Sequence, residues 1–558
     1  MKSGSTPNAS ILQILKINSN TNQWLLCSII LVVLHVQAME TNAQSAFLHT
    51  FGNQNRSEAN AVIQTSDGGY AVTGWYDVQG SFTEECYLIK TDEFGDTLWT
   101  RTIGELTDTN ANGRDGSGNK AYDLVQTFDD GYFIVGETNG FGVPASDVYV
   151  IRLNAAGDVM WSRTFGGFES DHAQSTIQMA DSGFVIAGYT ESYGAGIRDM
   201  YFLRVDKNGE LLWSKTMGGT SLESATEIRA TSDGGIVVVG YCFSFGAISA
   251  EVYLMKMTDE AVIEWERTYG GSMNDYGYSV RECADGGFVI GGSTSSSGEG
   301  LDDVLMVKTD SNGILEWSKT YGGTKREVGY GVEQTSDHGF IVGGYTRSFG
   351  AGEDDIYLIK TDSVGDTLWT RTFGGLEDDF CQSMKLAQDG GVVIAGHTYG
   401  FNVSGTDVFL VKTDNQGLTD CHWYNAATVV SEVSFTSNTV NSIIGAGAKI
   451  GIPPTIRGFT VSDVTHACDY NVGVGNLEQK PRIKVYPNPA NSAINIQINA
   501  EIFGPLTYEI LDIQGRVVTS GFITNGEGKI NLTPFSQGLF VLKLKSNSGL
   551  ETRRFVKL

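Results

Sequence analysis

Six tryptophans, Trp99, Trp161, Trp213, Trp265, Trp317 and Trp369, follow one another at 62, 52, 52, 52 and 52 residues. Another step of 52 lands on Cys421, a degenerate seventh copy. Two further markers keep the same step. Asp67, Asp129, Asp181, Asp233, Asp285, Asp337 and Asp389 each open a turn such as "DGGF", and Gly74, Gly136, Gly188, Gly240, Gly292, Gly344 and Gly396 follow them. Three markers at one period define seven copies of one structural unit. The unit cannot bury its apolar surface alone, so the chain must stack or ring its copies.

The copy at 276–323 splits into four short segments: "YGYSVREC", "FVIGGSTS", "DVLMVKTD" and "ILEWSKTY", bounded by Gly/Asp/Asn turns. Their lengths and patterning suit strands, and no 3.6-residue period appears. Four strands in each of seven copies predict an all-β chain, a seven-bladed β-propeller over residues 44–425. In the third turn, Asp310 accepts backbone N–H bonds and Gly313 tolerates positive φ. The fourth copy has Thr258 and Ala261 there, so its turn is expected to differ. Leu315, Trp317 and Tyr321 share one strand face and are expected to pack on the next blade. "FLHTFG" (47–52) reads as a lone fourth strand that closes the last blade, whose own fourth strand, "LTDCHWY", is weak. Closure of that kind removes exposed edges.

The ends differ from the middle. Residues 1–43 carry Lys2 and Lys16, then "WLLCSIILVVLHV" and small residues, the pattern of a secretory signal and its processing region. The formal net charge is −27, yet residues 482–558 hold nine Lys/Arg against five Asp/Glu, a net of +4. The other residues therefore carry −31, which marks a domain boundary. A field of that sign repels nucleic acid and anionic membranes. Residues 426–481 are polar and rich in Ser, Thr and Val, and read as a linker with some strand content. Cys421 and Cys468 flank the end of the repeats and are candidates to pair.

The repeat "GGSMNDYGYSV…DGGFVIGGSTSS…DDVLMVKTDSNGILEWSKTYGG" resembles the glycine-rich β-propeller repeats of secreted and surface bacterial and archaeal proteins. Kelch propellers share its length, but there Trp follows the double glycine, whereas Trp317 precedes Gly322-Gly323. Residues 482–558, with "VYPNPANSAINIQI", "YEILDIQGRVV", "GLFVLKLKSNSG" and the terminal "RRFVKL", resemble the type A C-terminal sorting domain of the Bacteroidetes type IX secretion system. That resemblance implies a small β-sandwich and export by the type IX machinery through residues 482–558. It also implies a secreted or surface-attached product, with membrane contact only by that attachment.

Strand polarity puts the "DGG" and "TDxxG" turns on one rim. The inter-blade loops and the loops between second and third strands lie on the other, the candidate binding face. Three features collect there. Glu85, Asp147, Asp199, Glu251, Asp303, Asp355 and Asp407 precede the third strands. They are either Ca²⁺ ligands, with Asp147, Asp199 and Asp407 the candidates, or acceptors of N–H bonds in their own loops. Asp171, Glu223, Asp275, Glu327 and Asp379 precede the first strands, and Asp302 and Asp354 add charge beside the first set. Phe141, Tyr193, Phe245, Phe349 and Phe401 share one loop position, either to stack on sugar rings or to bury under their loops. With Asp302, Asp303, Asp354 and Asp355 they are the candidate ligand contacts. The insertion 105–119 falls on the same face. No HExxH, nucleophile elbow or P-loop occurs, and no histidine pair has metal spacing. No motif calls for a cofactor, and Ca²⁺ is a cation these carboxylates could hold. These features favour a non-enzymatic binding module for a protein or glycan. The alternative is a secreted polysaccharide hydrolase or lyase working through rim carboxylates.

Overall fold

The computed structural model describes residues 46–52, 56–78, 83–104, 118–140, 145–245, 249–401, 405–419, 421–439, 443–445, 449–450, 456–457 and 463–466 of the repeat region. Toward the C-terminus it describes 482–486, 493–499, 506–511, 516–523, 527–535, 538–546 and 549–557. The signal region, the insertion 105–117, Phe141 and Cys468 lie outside the described residues. The chain divides into two units between Tyr470 and Asn471. No helix occurs among the described residues.

The first unit consists of seven antiparallel sheets, propeller-like blades, each built on one copy of the repeat. In the fifth, the strands Asp275–Glu282, Phe288–Thr294, Asp303–Thr309 and Leu315–Gly322 pair in sequence order. The "DGG" aspartate ties the middle of each sheet together. In all seven it takes an ion pair from the cation on the third strand, such as Lys308 Nζ to Asp285 at 2.9 Å and Lys412 Nζ to Asp389 at 2.8 Å. The tryptophans pack across sheets as expected. Trp317 lies edge-on to Phe340 of the next sheet, with ring centroids 5.9 Å apart, and against that sheet's third turn at Gly365. The fourth copy departs from expectation. Ala261 N donates to Thr258 O at 3.0 Å, the same bond that Gly313 makes to Asp310. Ala261 adopts a φ of 54° to do so, and Thr258 Oγ1 accepts from Val262 N where aspartate, or Asn154 in the second copy, does so elsewhere. The sheet context outweighs the local preference for glycine.

Each first strand carries a β-bulge, at Gly277/Ser279 in the fifth sheet and at the same place in the other six. The bulge presses the first strand on the second. A Cβ at Gly240 would sit 1.9 Å from the carbonyl oxygen of Ser224. Gly240→Ala is therefore expected to cost about 3 kcal/mol or more, because one backbone must move. Gly234→Ala, at φ 87° in open space, should cost only about 1–2 kcal/mol of left-handed strain. Urea unfolding of both variants checks the order, and equal losses would break the argument.

The N-terminal strand Phe47–Gly52 pairs antiparallel with Asp407–Lys412 and so supplies the fourth strand of the seventh sheet. Phe47, Phe51, Val393 and Leu410 of that sheet share one core with Val62 and Val72 of the first. Trp423–Tyr424, expected as the seventh sheet's own fourth strand, instead pairs with Thr367–Phe373 of the sixth.

That displacement begins a larger departure. The described stretches between 423 and 466 supply the strand content expected of 426–481. They run back past the sheets, adding a fifth, outer strand of two to four residues to each one. Val429–Glu432 pairs with the fifth sheet, Thr436–Thr439 with the fourth and Ile443–Gly445 with the third. Lys449–Ile450 pairs with the second, Ile456–Arg457 with the first and Asp463–His466 with the N-terminal strand of the seventh. Side chains anchor the early part of this belt. Phe435 is buried in the core between the fourth and fifth sheets, and Thr370 Oγ1 donates to Ala426 O at 2.7 Å. Every sheet would otherwise end in an unpaired edge. Cys421, where the belt begins, is disulfide-bonded, and Cys86, Cys242, Cys283 and Cys381 are buried free thiols.

The second unit holds a three-stranded and a four-stranded antiparallel sheet. Ile494, Ile496 and Ile530 of one meet Ile510, Ile523, Phe540 and Leu542 of the other in a common core. Two sheets packed in this way form the small β-sandwich that the resemblance of 482–558 implies.

Candidate functional site

The first strands of all seven sheets line one cavity of about 370 Å³. Their bulges turn residues inward at positions where the repeats differ. The fourth residue of the strand is Asn60, Tyr122, Gln174, Thr226, Tyr278, Tyr330 or Gln382, and all seven line the cavity. Tyr189 and Tyr241 join them from the second strands, near the candidate face, and Lys385 lies near the opposite ends of the first strands.

The fifth residues stitch the sheets together. Because the bulge frees the next N–H from the ladder, it donates to the neighbouring sheet. Thr176 N donates to Asp123 at 2.9 Å, Val280 N to Glu227 at 2.7 Å and Val62 N to Ser383 at 3.2 Å. Below them lies a partly buried ionic cluster around the buried Glu227. Arg281 donates to Glu227 at 2.8 Å and to Glu333 at 2.7 Å, and Arg229 also donates to Glu227. Burial would push the Glu227 carboxyl up, but Arg229, Arg281 and Lys385 hold it well below the usual carboxylate range. Lys385 is 3.7 Å from Glu227. Burial, then Arg229 and Arg281, pull its ammonium down to about 8.

Near the candidate face the side chains on and behind the cavity lining are arranged asymmetrically. On one side an aromatic arc runs through Tyr241, Tyr276, Tyr278, Tyr330, Tyr345 and Phe380, with successive ring centroids 5.0–6.1 Å apart. On the other, polar and charged groups are paired. Tyr122 donates to Glu137 at 2.9 Å, Lys120 pairs with Glu84 at 2.9 Å, and Arg198 pairs with Glu191 at 2.6 Å while lying over Tyr189. Burial pushes the Tyr278 phenol up to about 12, so it stays a donor at neutral pH.

The rim residues singled out from sequence have other places. Tyr193, Phe245, Phe349 and Phe401 pack into the sheet cores under their loops, the first with its hydroxyl donating to Gly166 O at 2.7 Å. Asp302 pairs with Arg326 at 2.8 Å, and Arg347 clamps the buried Asp354. Asp303 and Asp355 are buried at the junctions between sheets, where they accept from Gly300 N at 3.2 Å and Gly352 N at 3.0 Å. Asp147 and Asp199 are buried in the same way, and Asp407 is partly buried. The second acidic set accepts from the double-glycine turns, as in Asp171 to Gly167 N at 2.7 Å and Asp379 to Gly375 N at 2.7 Å. The two sets meet in pairs, such as Asp147 with Asp171 and Asp355 with Asp379. Among the described residues no group of three or more His, Cys, Asp or Glu is arranged to hold a metal ion.

The pairs carry a pH signature. Burial, then Asp171, pushes Asp147 up to about 7. Burial, opposed by Thr398 and Gly375 N and reinforced by Asp355, pushes Asp379 up to about 7. Chiefly by burial, Asp303 and Asp355 rise to about 6. A carboxyl raised in the folded state binds its proton more tightly there than in the unfolded chain. The folded protein then holds extra protons between about pH 4 and pH 7, and stability falls as pH rises through that window. The urea midpoint at pH 5 should exceed that at pH 7.5, and the unfolding free energy from the same curves should be larger by on the order of a few kcal/mol, at about 1.4 kcal/mol per proton and pH unit. A midpoint that is flat or rising across this range would contradict the pairing.

Residues 484–558 match the secretion system C-terminal sorting domain family. The C-terminal unit is a sorting domain. It directs the protein out of the cell, to the surface or the medium, and implies recognition by the type IX secretion machinery. The other likenesses are weaker. The regulatory protein FlaEY of Caulobacter vibrioides is 26% identical over 136 residues, which span 22% of this chain and only 14% of that one. The extracellular domain of a hybrid two-component system from B. thetaiotaomicron is 11% identical, with a TM-score of 0.40 over 90% of this chain and 56% of that one. An endo-1,5-alpha-L-arabinanase from Thermotoga petrophila is 11% identical, with a TM-score of 0.26 over 66% of this chain and all of that one. At these scores neither structure carries an argument about function.

Proposed function

We propose that the seven sheets are the blades of a closed seven-bladed β-propeller. After export it serves as an extracellular binding module for a glycan or protein, with the ligand in the axial cavity. One observation carries this reading: the residues that break the sevenfold repeat gather at that cavity. A scaffold needs its repeated residues, whereas an asymmetric ligand needs departures from them. Aromatic faces beside amide and hydroxyl groups suit sugar rings, which are apolar on their faces and polar at their edges.

The test is a glycan array and a surface-protein pull-down with residues 46–470, compared with Tyr278→Ala and Tyr330→Ala. Each substitution should weaken capture about tenfold or more, since a stacked aromatic contributes about 1 kcal/mol or more beyond its buried area. Capture unaffected by either change would overturn the assignment of the cavity.

A further inference from the structure

The floor of the cavity leaves two cationic donors short of a hydrogen-bond acceptor. Glu227 already accepts from Ser279 Oγ at 2.8 Å, Val280 N at 2.7 Å and both arginines. Glu333 accepts from Arg281, and Asp123 from Ser175 Oγ at 3.0 Å and Thr176 N. Two donors remain. Arg229 Nε is buried without a hydrogen-bond partner. Lys385 lines the cavity, and its nearest carboxylate among the described residues is Glu227 at 3.7 Å, beyond hydrogen-bond length. An ammonium with three donors has no carboxylate at 3 Å to receive them, while Arg229 and Arg281 stand behind it.

Resting on the binding reading above, we infer that the cavity takes an acidic sugar, a uronate-type residue whose carboxylate lies on Lys385. Its hydroxyls would meet Gln174, Gln382 and Asn60, and its ring face the Tyr278–Tyr330 side. A carboxylate at Lys385 supplies the missing acceptor. Because first strands of all seven sheets line the cavity, an extended polymer has no groove to lie across. The sugar must enter end-on, as a free acid or as the terminal residue of a chain. The chain's net charge of −27 acts on the approach and is screened over about 8 Å in physiological salt. Inside the cavity the ligand meets Lys385.

The full chain is titrated at pH 7 by calorimetry with methyl glucuronide, methyl galacturonide, methyl glucoside and tetragalacturonate, beside Lys385→Met and Lys385→Arg. The uronides should bind at least tenfold tighter than the neutral glucoside. Lys385→Met should abolish that preference, and Lys385→Arg should keep it. Tetragalacturonate binding tighter than the monosaccharide assigns a chain end, and equal binding assigns the free acid. Neutral sugar bound without uronide preference, or uronide binding unchanged in Lys385→Met, overturns this inference and leaves the binding reading standing. If no sugar binds, the glycan reading falls with it. Should Lys385→Met unfold, the preference of the unsubstituted protein among the four sugars decides.

Discussion

Removal of residues 421–470 is expected to leave a propeller-like body that melts earlier and self-associates. The comparison is between two fragments, 46–470 and 46–420, both without the sorting domain. In the shorter one the outer strands of all seven sheets, Leu315–Gly322 among them, lose their antiparallel partners. Unpaired edges of that kind template pairing with other chains. The core between the fourth and fifth sheets also loses Phe435, which contributes about 2–3 kcal/mol by its burial. For a domain of this size, a loss of that order with the outer strands gone corresponds to a fall in Tm of about 5 °C. Calorimetry and light scattering against concentration measure both effects. A shorter fragment that stays monomeric with an unchanged Tm would mean the belt is only an appendage.

Glu227→Gln should be among the most damaging single substitutions in the chain. The carboxylate holds Arg281, Arg229 and Lys385 together and accepts from Val280 N across the junction of two sheets. Glutamine keeps the size and removes the charge, leaving buried cations uncompensated, at a cost of about 3–5 kcal/mol. Replacing a cation as well should return much of that loss, because an apolar side chain of similar volume does not carry the same desolvation penalty. The measurement is urea unfolding of Glu227→Gln, of Arg281→Met and of the two combined. A Glu227→Gln cost under 1 kcal/mol, or a double variant costing the sum of both changes, would refute the role of this cluster.

The repeat was readable because its period is written in residues that each sheet needs. The tryptophan fills the space against the next sheet, the "DGG" aspartate receives a cation from the third strand, and the glycine of the second strand admits the bulge. Each works within one sheet or against its neighbour, so each recurs at 52 residues. The rim carboxylates recur for the same reason and hold the junction turns. The cavity was harder to see. Tyr278, Tyr330, Glu227 and Lys385 mark it only by differing from their counterparts, and the inward turn that unites them depends on a bulge without a residue signature of its own. The signal lies in the fourth, fifth and seventh residues of the first strands, where the copies disagree.

The belt shows the other limit. Segments such as "VVSE" and "TSNT" are too short and too polar to declare a partner, and any edge offers the same hydrogen bonds. Sequence by itself determined the seven sheets, the N-terminal strand of the last one and the sorting domain, because local patterning and short-range packing carry that information. Only the tertiary structure decided which strands the tail covers and which side chains line the cavity. Those contacts join residues hundreds of positions apart, and their energy exists only once all seven sheets are in place.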